Sequence, residues 1–266
     1  MPGLDNPIPP GHSAPMTAVT ATGRAAAGAA LAILLGLLAA RSAAAQQAGV
    51  PASAFPPPER PVAGIVTDTW SNEASRDNAG EAGKVFGLLG IRPGLVVADI
   101  GAGSGYDTVR LAPLVAPGGT APAGHVYAED IVPTYVERLA RRIAELRLGG
   151  IVTVVAGEPA DPRLPPGAID LALMVHMYHE IEQPFGLLWN LRPALRPGAR
   201  VAIVDALRPT ERHGTPPALL RCELAAVGYR ETASYPLDAQ SYLAVFVPQA
   251  MPASPAAIRP CPNQPG

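Results

Sequence analysis

The segment VVADIGAGSGYDTVRLA (96–112) carries the clearest chemical signal in the chain. An apolar run ends in Asp99 and passes through Gly101, Ala102, Gly103 and Gly105 before a helix-like stretch. Glycines at this spacing let a ligand approach the backbone, and at least one is expected to need a positive φ. The spacing is GxGxG, whereas dinucleotide folds use GxGxxG with the third glycine packing a helix beneath a pyrophosphate. A carboxylate two residues before the turn suits a ligand with a cationic or hydrogen-bond-donating head, which disfavours a nicotinamide-dependent oxidoreductase. A second acidic site closes HVYAEDI (125–131), where Glu129 and Asp130 stand one βαβ unit beyond the glycines. A third cluster, VHMYHEIEQP (175–184), gathers His176, Tyr178, His179 and Glu180 at the end of an apolar run. His179 or Tyr178 is expected to act as a base there if the chemistry needs one. The order HxxHE is neither HExxH nor HxxEH, so no metal is expected; a two-His, one-carboxylate cluster in this run is the remaining metal arrangement.

These residues need a scaffold that brings strand ends together. Between residues 80 and 230, short aliphatic runs alternate with amphipathic stretches, the pattern of an α/β doubly wound, mostly parallel sheet with helices on both faces. Strands are expected at 95–100, 125–130, 151–156, 169–175 and 200–205, with a closing hairpin of 228–237 and 241–247 making seven. Helices are expected at 79–89, 107–114, 133–148, 185–195 and 217–227. In such a sheet, ligands sit beyond the carboxyl ends of the strands, where Asp99, Asp130 and the 175–184 run all fall.

The motif ADIGAGSGY, with the run that precedes it, resembles the first motif of class I S-adenosylmethionine-dependent methyltransferases, and the likeness extends over residues 80–247. The resemblance implies a Rossmann-like fold and S-adenosyl-L-methionine as cofactor. It implies that Asp99, Gly101, Ala102, Gly103 and Gly105 lie under the methionine and ribose, that Asp130 takes the ribose hydroxyls, and that Asp161 in AGEPADPRLPP meets the adenine. The turns IRPGL (91–95) and LRPGA (195–199) match those preceding the first and fifth strands of the family. The segment 68–86, with Arg76 and Asp77, is similar to the lid of quinone-pathway C-methyltransferases, and His213 falls near the substrate side. The expected reaction is methyl transfer to a small or amphipathic acceptor; the alternative is an exported binding module that keeps the fold without catalysis. Nucleobase amino methylation is disfavoured because the Asn/Asp-Pro-Pro-Tyr motif is missing.

A formal net charge of -2 gives no electrostatic reason for a nucleic-acid partner. The uncharged run 25–40, followed by SAAA (42–45), is too short to span a bilayer as a helix and has the make-up of a signal-peptide core. Residues 1–45 are therefore expected to be a leader or an anchor, and any membrane contact is expected there alone. Cleavage would place the protein in the periplasm or outside the cell; a leader without function would leave it cytoplasmic. Pro-rich stretches at 46–64 and 248–266 read as extended flanks around a domain spanning 65–247. Two cysteines, Cys222 and Cys261, allow one disulfide that would pin the second flank, or two unpaired thiols.

Overall fold

The computed structural model describes residues 49–66, 73–119 and 124–263. Residues 1–45, expected to be a leader or an anchor, and residues 68–72 of the lid-like segment lie outside the described residues. Seven strands form one sheet: β1 (Val96–Ile100), β2 (His125–Asp130), β3 (Val152–Ala156), β4 (Ile169–Val175), β5 (Leu195–Ala206), β6 (Tyr229–Pro236) and β7 (Ser241–Pro248). Their order is β3-β2-β1-β4-β5-β7-β6, with β7 antiparallel to both β5 and β6 and the other neighbours parallel. This is the doubly wound arrangement that the alternation of strands and helices predicts. The order reverses at β1, so β1 and β4 leave a crevice beyond their carboxyl ends.

The helices are α1 (Glu73–Ala79), α2 (Glu81–Leu89), α3 (Tyr106–Val115), α4 (Pro133–Glu145), α5 (Pro184–Leu191) and α6 (Pro217–Ala226). The sheet separates two apolar cores. On one side Val85, Phe86, Leu89, Leu111 and Leu139 cover Val97, Val126 and Leu173; on the other Phe185, Leu188, Leu220 and Leu224 cover Ile100, Met174, Ile203 and Phe246. Central strands buried on both faces read as unbroken aliphatic runs, which is why β4 and β5 carry LALMV and VAIV. Helix α4 shows the amphipathic converse: Pro133 opens it at a position that needs no amide donor, and Leu139 and Ile143 bury while Arg138 and Arg141 face out. The LRPGA turn lies inside β5, where the pairing with β4 shifts register between Ile169 and Leu171.

The described parts of both Pro-rich flanks, 49–64 and 248–263, carry the 3₁₀ turns Ala52–Ala54 and Pro255–Ala257, and both pack on the domain. Phe55 is buried with its ring edge-on to Trp189. The Val50 backbone exchanges hydrogen bonds with the Asn190 side chain at 2.9 Å in each direction. Arg60 reaches the interior, where its Nε donates to Glu223 at 2.9 Å with both side chains essentially without solvent contact. Cys222 and Cys261 are disulfide-bonded, and Glu59 pairs with Pro262, so the two flanks meet. Among the described residues no helix is long and apolar enough to cross a membrane.

Candidate active site

A cavity of about 330 Å³ opens at the carboxyl edge of β1, β4 and β5, floored by the glycine turn. Gly101, Gly103 and Gly105 all adopt positive φ (71°, 56° and 83°), a region that disfavours side chains. The turn therefore exposes backbone to the cavity through Gly101, Ala102 and Gly103. Gly105 has a different duty: a Cβ on it would stand 2.4 Å from Leu139 Cδ1, so this glycine lets α3 settle against α4.

The floor is acidic. Asp99 is buried and accepts the Thr108 hydroxyl, and Asp107 and Glu81 line the same cavity. Burial, then the neighbouring Asp107 charge, pushes the Asp99 carboxyl up to about 7. Burial also raises Asp107, while Arg76, 3.2 Å away, pulls it down. At the end of β2, Asp130 accepts the Gly103 N–H and the Val132 N–H, both at 2.8 Å, so it braces the glycine turn. Glu129 points to the other face, buried, with one oxygen lacking a hydrogen-bond partner and the other 3.4 Å from the Gly101 amide. Burial, then Asp130, raises its carboxyl well above the usual range.

Helix α1 covers this end. Glu73 pairs with Arg142 and Arg110, Asp77 accepts from Arg110 at 2.7 Å and from the Tyr106 hydroxyl at 2.9 Å, and Arg76 and Arg110 flank the Tyr106 ring, each 3.6 Å from its centroid. Of the two lid residues singled out in the sequence, Arg76 lines the cavity and Asp77 fastens the helix to α3.

The opposite end is a nitrogen-rich cluster. His179 lines the cavity, and its Nδ1 faces the Asp205 carboxylate at 2.9 and 3.1 Å. Asp205, with no solvent exposure, also accepts the Thr215 hydroxyl at 2.7 Å and the Ala206 N–H at 2.8 Å. That anchoring holds one imidazole tautomer and leaves Nε2 toward the cavity. Glu180 and His213 line the same wall, each with an atom 3.9 Å from its partner in the cluster. Burial raises the Glu180 carboxyl, opposed by the Val66 N–H that it accepts.

The structure gathers Asp99, Gly101, Ala102, Gly103, His176, His179 and Glu180 around one cavity and places the other sequence candidates differently. Tyr178 is turned away: its side chain is fully buried beneath the Arg60 guanidinium, and burial raises its phenol well above the usual value. It is a core residue because the 3₁₀ turn Tyr178–Glu180 swings successive side chains to different sides. His176 stays in the cavity wall but its Nε2 meets Glu81 at 3.0 and 3.1 Å. Burial opposes its charge, yet the Glu81 carboxylate prevails and raises the imidazole. Asp161 lies off the cavity, its carboxylate taken by the Gly49 and Arg163 amides at 3.1 and 2.9 Å. Sequence reading missed Asp205 and Thr215. The signal for Asp205 was present, since RVAIVD closes an apolar strand with an acid as VVAD and VYAED do.

The residues fit the cofactor implied by the sequence resemblance. An acidic floor suits a sulfonium and an ammonium group, and the backbone exposed at Gly101, Ala102 and Gly103 lets a ligand approach the turn closely. A pH dependence follows from Asp99. A cationic ligand selects the ionised carboxylate, so binding gains as pH rises through about 7. S-adenosylhomocysteine affinity is expected to tighten by about tenfold between pH 6 and pH 8 if one such proton is released. Titration calorimetry across that range checks it, and Asp99→Asn should flatten the profile.

Comparison with known proteins gives the same direction. Residues 98–201 match a family model described as a methyltransferase domain. A protein-L-isoaspartate O-methyltransferase from Aeropyrum pernix is 39% identical over 79 residues, covering 30% of this chain and 28% of that one. A nocamycin O-methyltransferase from Saccharothrix syringae is 29% identical over 160 residues, covering 52% and 55%. The chain thus spans about half or less of the length of these relatives. Among solved structures, a SAM-dependent methyltransferase from Aquifex aeolicus superposes with a TM-score of 0.57 at 21% identity, covering 66% of this chain and 98% of that one. That likeness is one of fold. The glycine turn, the strand-end acids and the segment matched to a methyltransferase domain all agree with the resemblance to class I S-adenosylmethionine-dependent methyltransferases.

Proposed function

We propose that the protein transfers a methyl group from S-adenosylmethionine to an oxygen of a small acceptor that enters the cavity on the His179 side. The observation that carries this reading is the Asp205–His179 pair, which presents Nε2 to the same cavity that the glycine turn floors. The cofactor supplies an electrophilic methyl on a sulfonium, so the chain's own contribution is alignment, worth up to roughly 7–11 kcal/mol, and removal of an acceptor proton. In this reading Asp99 and Asp107, which line the cavity, hold the cationic end, and Asp130, outside the cavity lining and bonded to the Gly103 and Val132 amides, takes the ribose. Where the acceptor oxygen carries a proton, His179 Nε2 takes it and Asp205 stabilises the imidazolium. The acceptor oxygen forms the new C–O bond as the C–S bond breaks, leaving a neutral thioether.

Oxygen as the acceptor atom is supported by the relatives, which are named as O-methyltransferases. A small acceptor is supported by a cavity of about 330 Å³ that must also hold cofactor atoms. The disulfide supports an oxidising compartment for the folded domain, in line with the leader-like run before residue 45. Incubation with methyl-labelled S-adenosylmethionine and a panel of hydroxyl, carboxyl, amine and thiol compounds tests the proposal. Label transfer confined to oxygen compounds supports it; transfer to amines or thiols alone overturns it.

A further inference from the structure

We infer that His179, Glu180 and His213 form a site for a single divalent transition-metal ion, of which Zn²⁺ is the closest chemical match, with the acceptor's oxygen completing its coordination. The inference rests on reading this end of the cavity as the acceptor end.

Three donor atoms converge from two separate segments, the Tyr178–Glu180 turn and the residue after the Thr210–Arg212 turn. His179 Nε2 and His213 Nδ1 each lie 3.9 Å from Glu180 Oε1, and all three atoms lie within 4.8 Å of one another. Around an ion bonded at about 2.0–2.2 Å, neighbouring donors stand roughly 3.0–3.5 Å apart, so each pair has to close by only about 1 Å or slightly more. The two imidazole rings are nearly perpendicular, at 87°, with centroids 5.4 Å apart, so they do not stack on each other.

The surroundings are those of an oriented ligand set. A metal-binding histidine commonly gives its second nitrogen to a carboxylate, which fixes the tautomer and strengthens the donor. His179 has this arrangement in Asp205, itself held by Thr215 and the Ala206 amide. Glu180 is steadied by the Val66 N–H at 3.1 Å. His213 is set at φ 57°, an uncommon backbone state for a residue with a side chain. A simple proton-accepting pair needs only His179 and Asp205. A second imidazole and a carboxylate around the same Nε2 are more than that task requires, and they are what an ion requires.

Two nitrogens and one oxygen favour zinc or a neighbouring first-row ion over magnesium or calcium, which take oxygen ligands. Three protein ligands leave room for an acceptor hydroxyl or carboxylate. Coordination would lower the pKa of such an oxygen and would stand in for the proton-accepting role of His179, whose Nε2 the ion would occupy. His176 stays outside the set because Glu81 occupies its Nε2.

Equilibrium dialysis of the chelator-treated full chain against Zn²⁺, paired with visible absorption of the Co²⁺ form, tests the site. One equivalent is expected to bind at low micromolar metal. Glu180→Gln and His213→Asn should each abolish that equivalent, and Asp205→Asn should weaken it by about 10- to 100-fold. S-adenosylhomocysteine binding by each variant shows that the fold and the glycine turn are intact. Zinc binding that both single variants retain, or no stoichiometric binding while the cofactor product binds normally, would overturn the ion site and leave the methyltransferase reading standing. A zinc equivalent lost in the variants of a protein that binds no sulfur cofactor would establish the ion and defeat the other reading.

Discussion

Replacing Arg60 by Met is expected to destabilise the protein by about 3–5 kcal/mol, because it leaves Glu223 charged and alone in the interior. Neither side chain of the pair has appreciable solvent contact. Arg60 also donates to three carbonyls of the turn that carries the cluster: Tyr178 at 3.2 Å, His179 at 3.3 Å and Ile181 at 3.5 Å. The loss therefore has an electrostatic part and a positioning part, and two further measurements separate them. The double variant Arg60→Met, Glu223→Leu should recover most of the stability, since an apolar pair can replace a buried ion pair at little cost. It should not recover the order of the 178–181 turn, so any activity that depends on His179 should remain depressed. In the single variant, an isolated buried Glu223 has a folded pKa above its unfolded value. The stability deficit is then smallest near pH 5, where the group enters the core protonated, and grows toward pH 8. Urea denaturation at both pH values checks the sign; a deficit that is equal at the two would count against Glu223 as its source.

The second large effect is on cofactor affinity. Asp130→Ala is expected to weaken S-adenosylhomocysteine binding by roughly 10- to 150-fold, the loss of one charge-assisted hydrogen bond at about 1.5–3 kcal/mol. The same carboxylate braces Gly103 and Val132. Asp130→Asn keeps an acceptor for one of those amides and should fall between wild type and Ala. If Asp130→Ala lowered the melting temperature yet bound the ligand as tightly as wild type, the carboxylate would be a brace for the turn and nothing more.

The fold was legible because its causes are local. Unbroken aliphatic runs, 3.6-residue periodicity and glycine turns each leave their mark within about ten residues, and together they specify a doubly wound sheet. The glycine turn was legible for the same reason, although its third glycine serves packing against Leu139. The other end of the cavity was only half legible. Asp205 meets His179 across 26 residues and Thr215 across 10, and no short-range pattern records such a meeting. Tyr178 and His179 are neighbours of similar chemistry, and only the 3₁₀ turn decides that one enters the core and the other the cavity. Asp161 was misplaced for a related reason. Composition marks residue 49 as part of an extended flank but does not say which carboxylate that flank will cap.

The convergence of the two flanks has a consequence for the order of synthesis. Arg60 emerges early, but its counter-ion on α6 arrives some 160 residues later, and the Glu59–Pro262 pairing and the disulfide wait for the end of the chain. A nascent chain can wind β1 to β4 and complete the glycine turn while the Tyr178–Glu180 turn still lacks its fastening. A chain cut short ahead of residue 223 would therefore carry both ends of the cavity but leave Arg60, which holds the 178–181 turn, without its counter-ion.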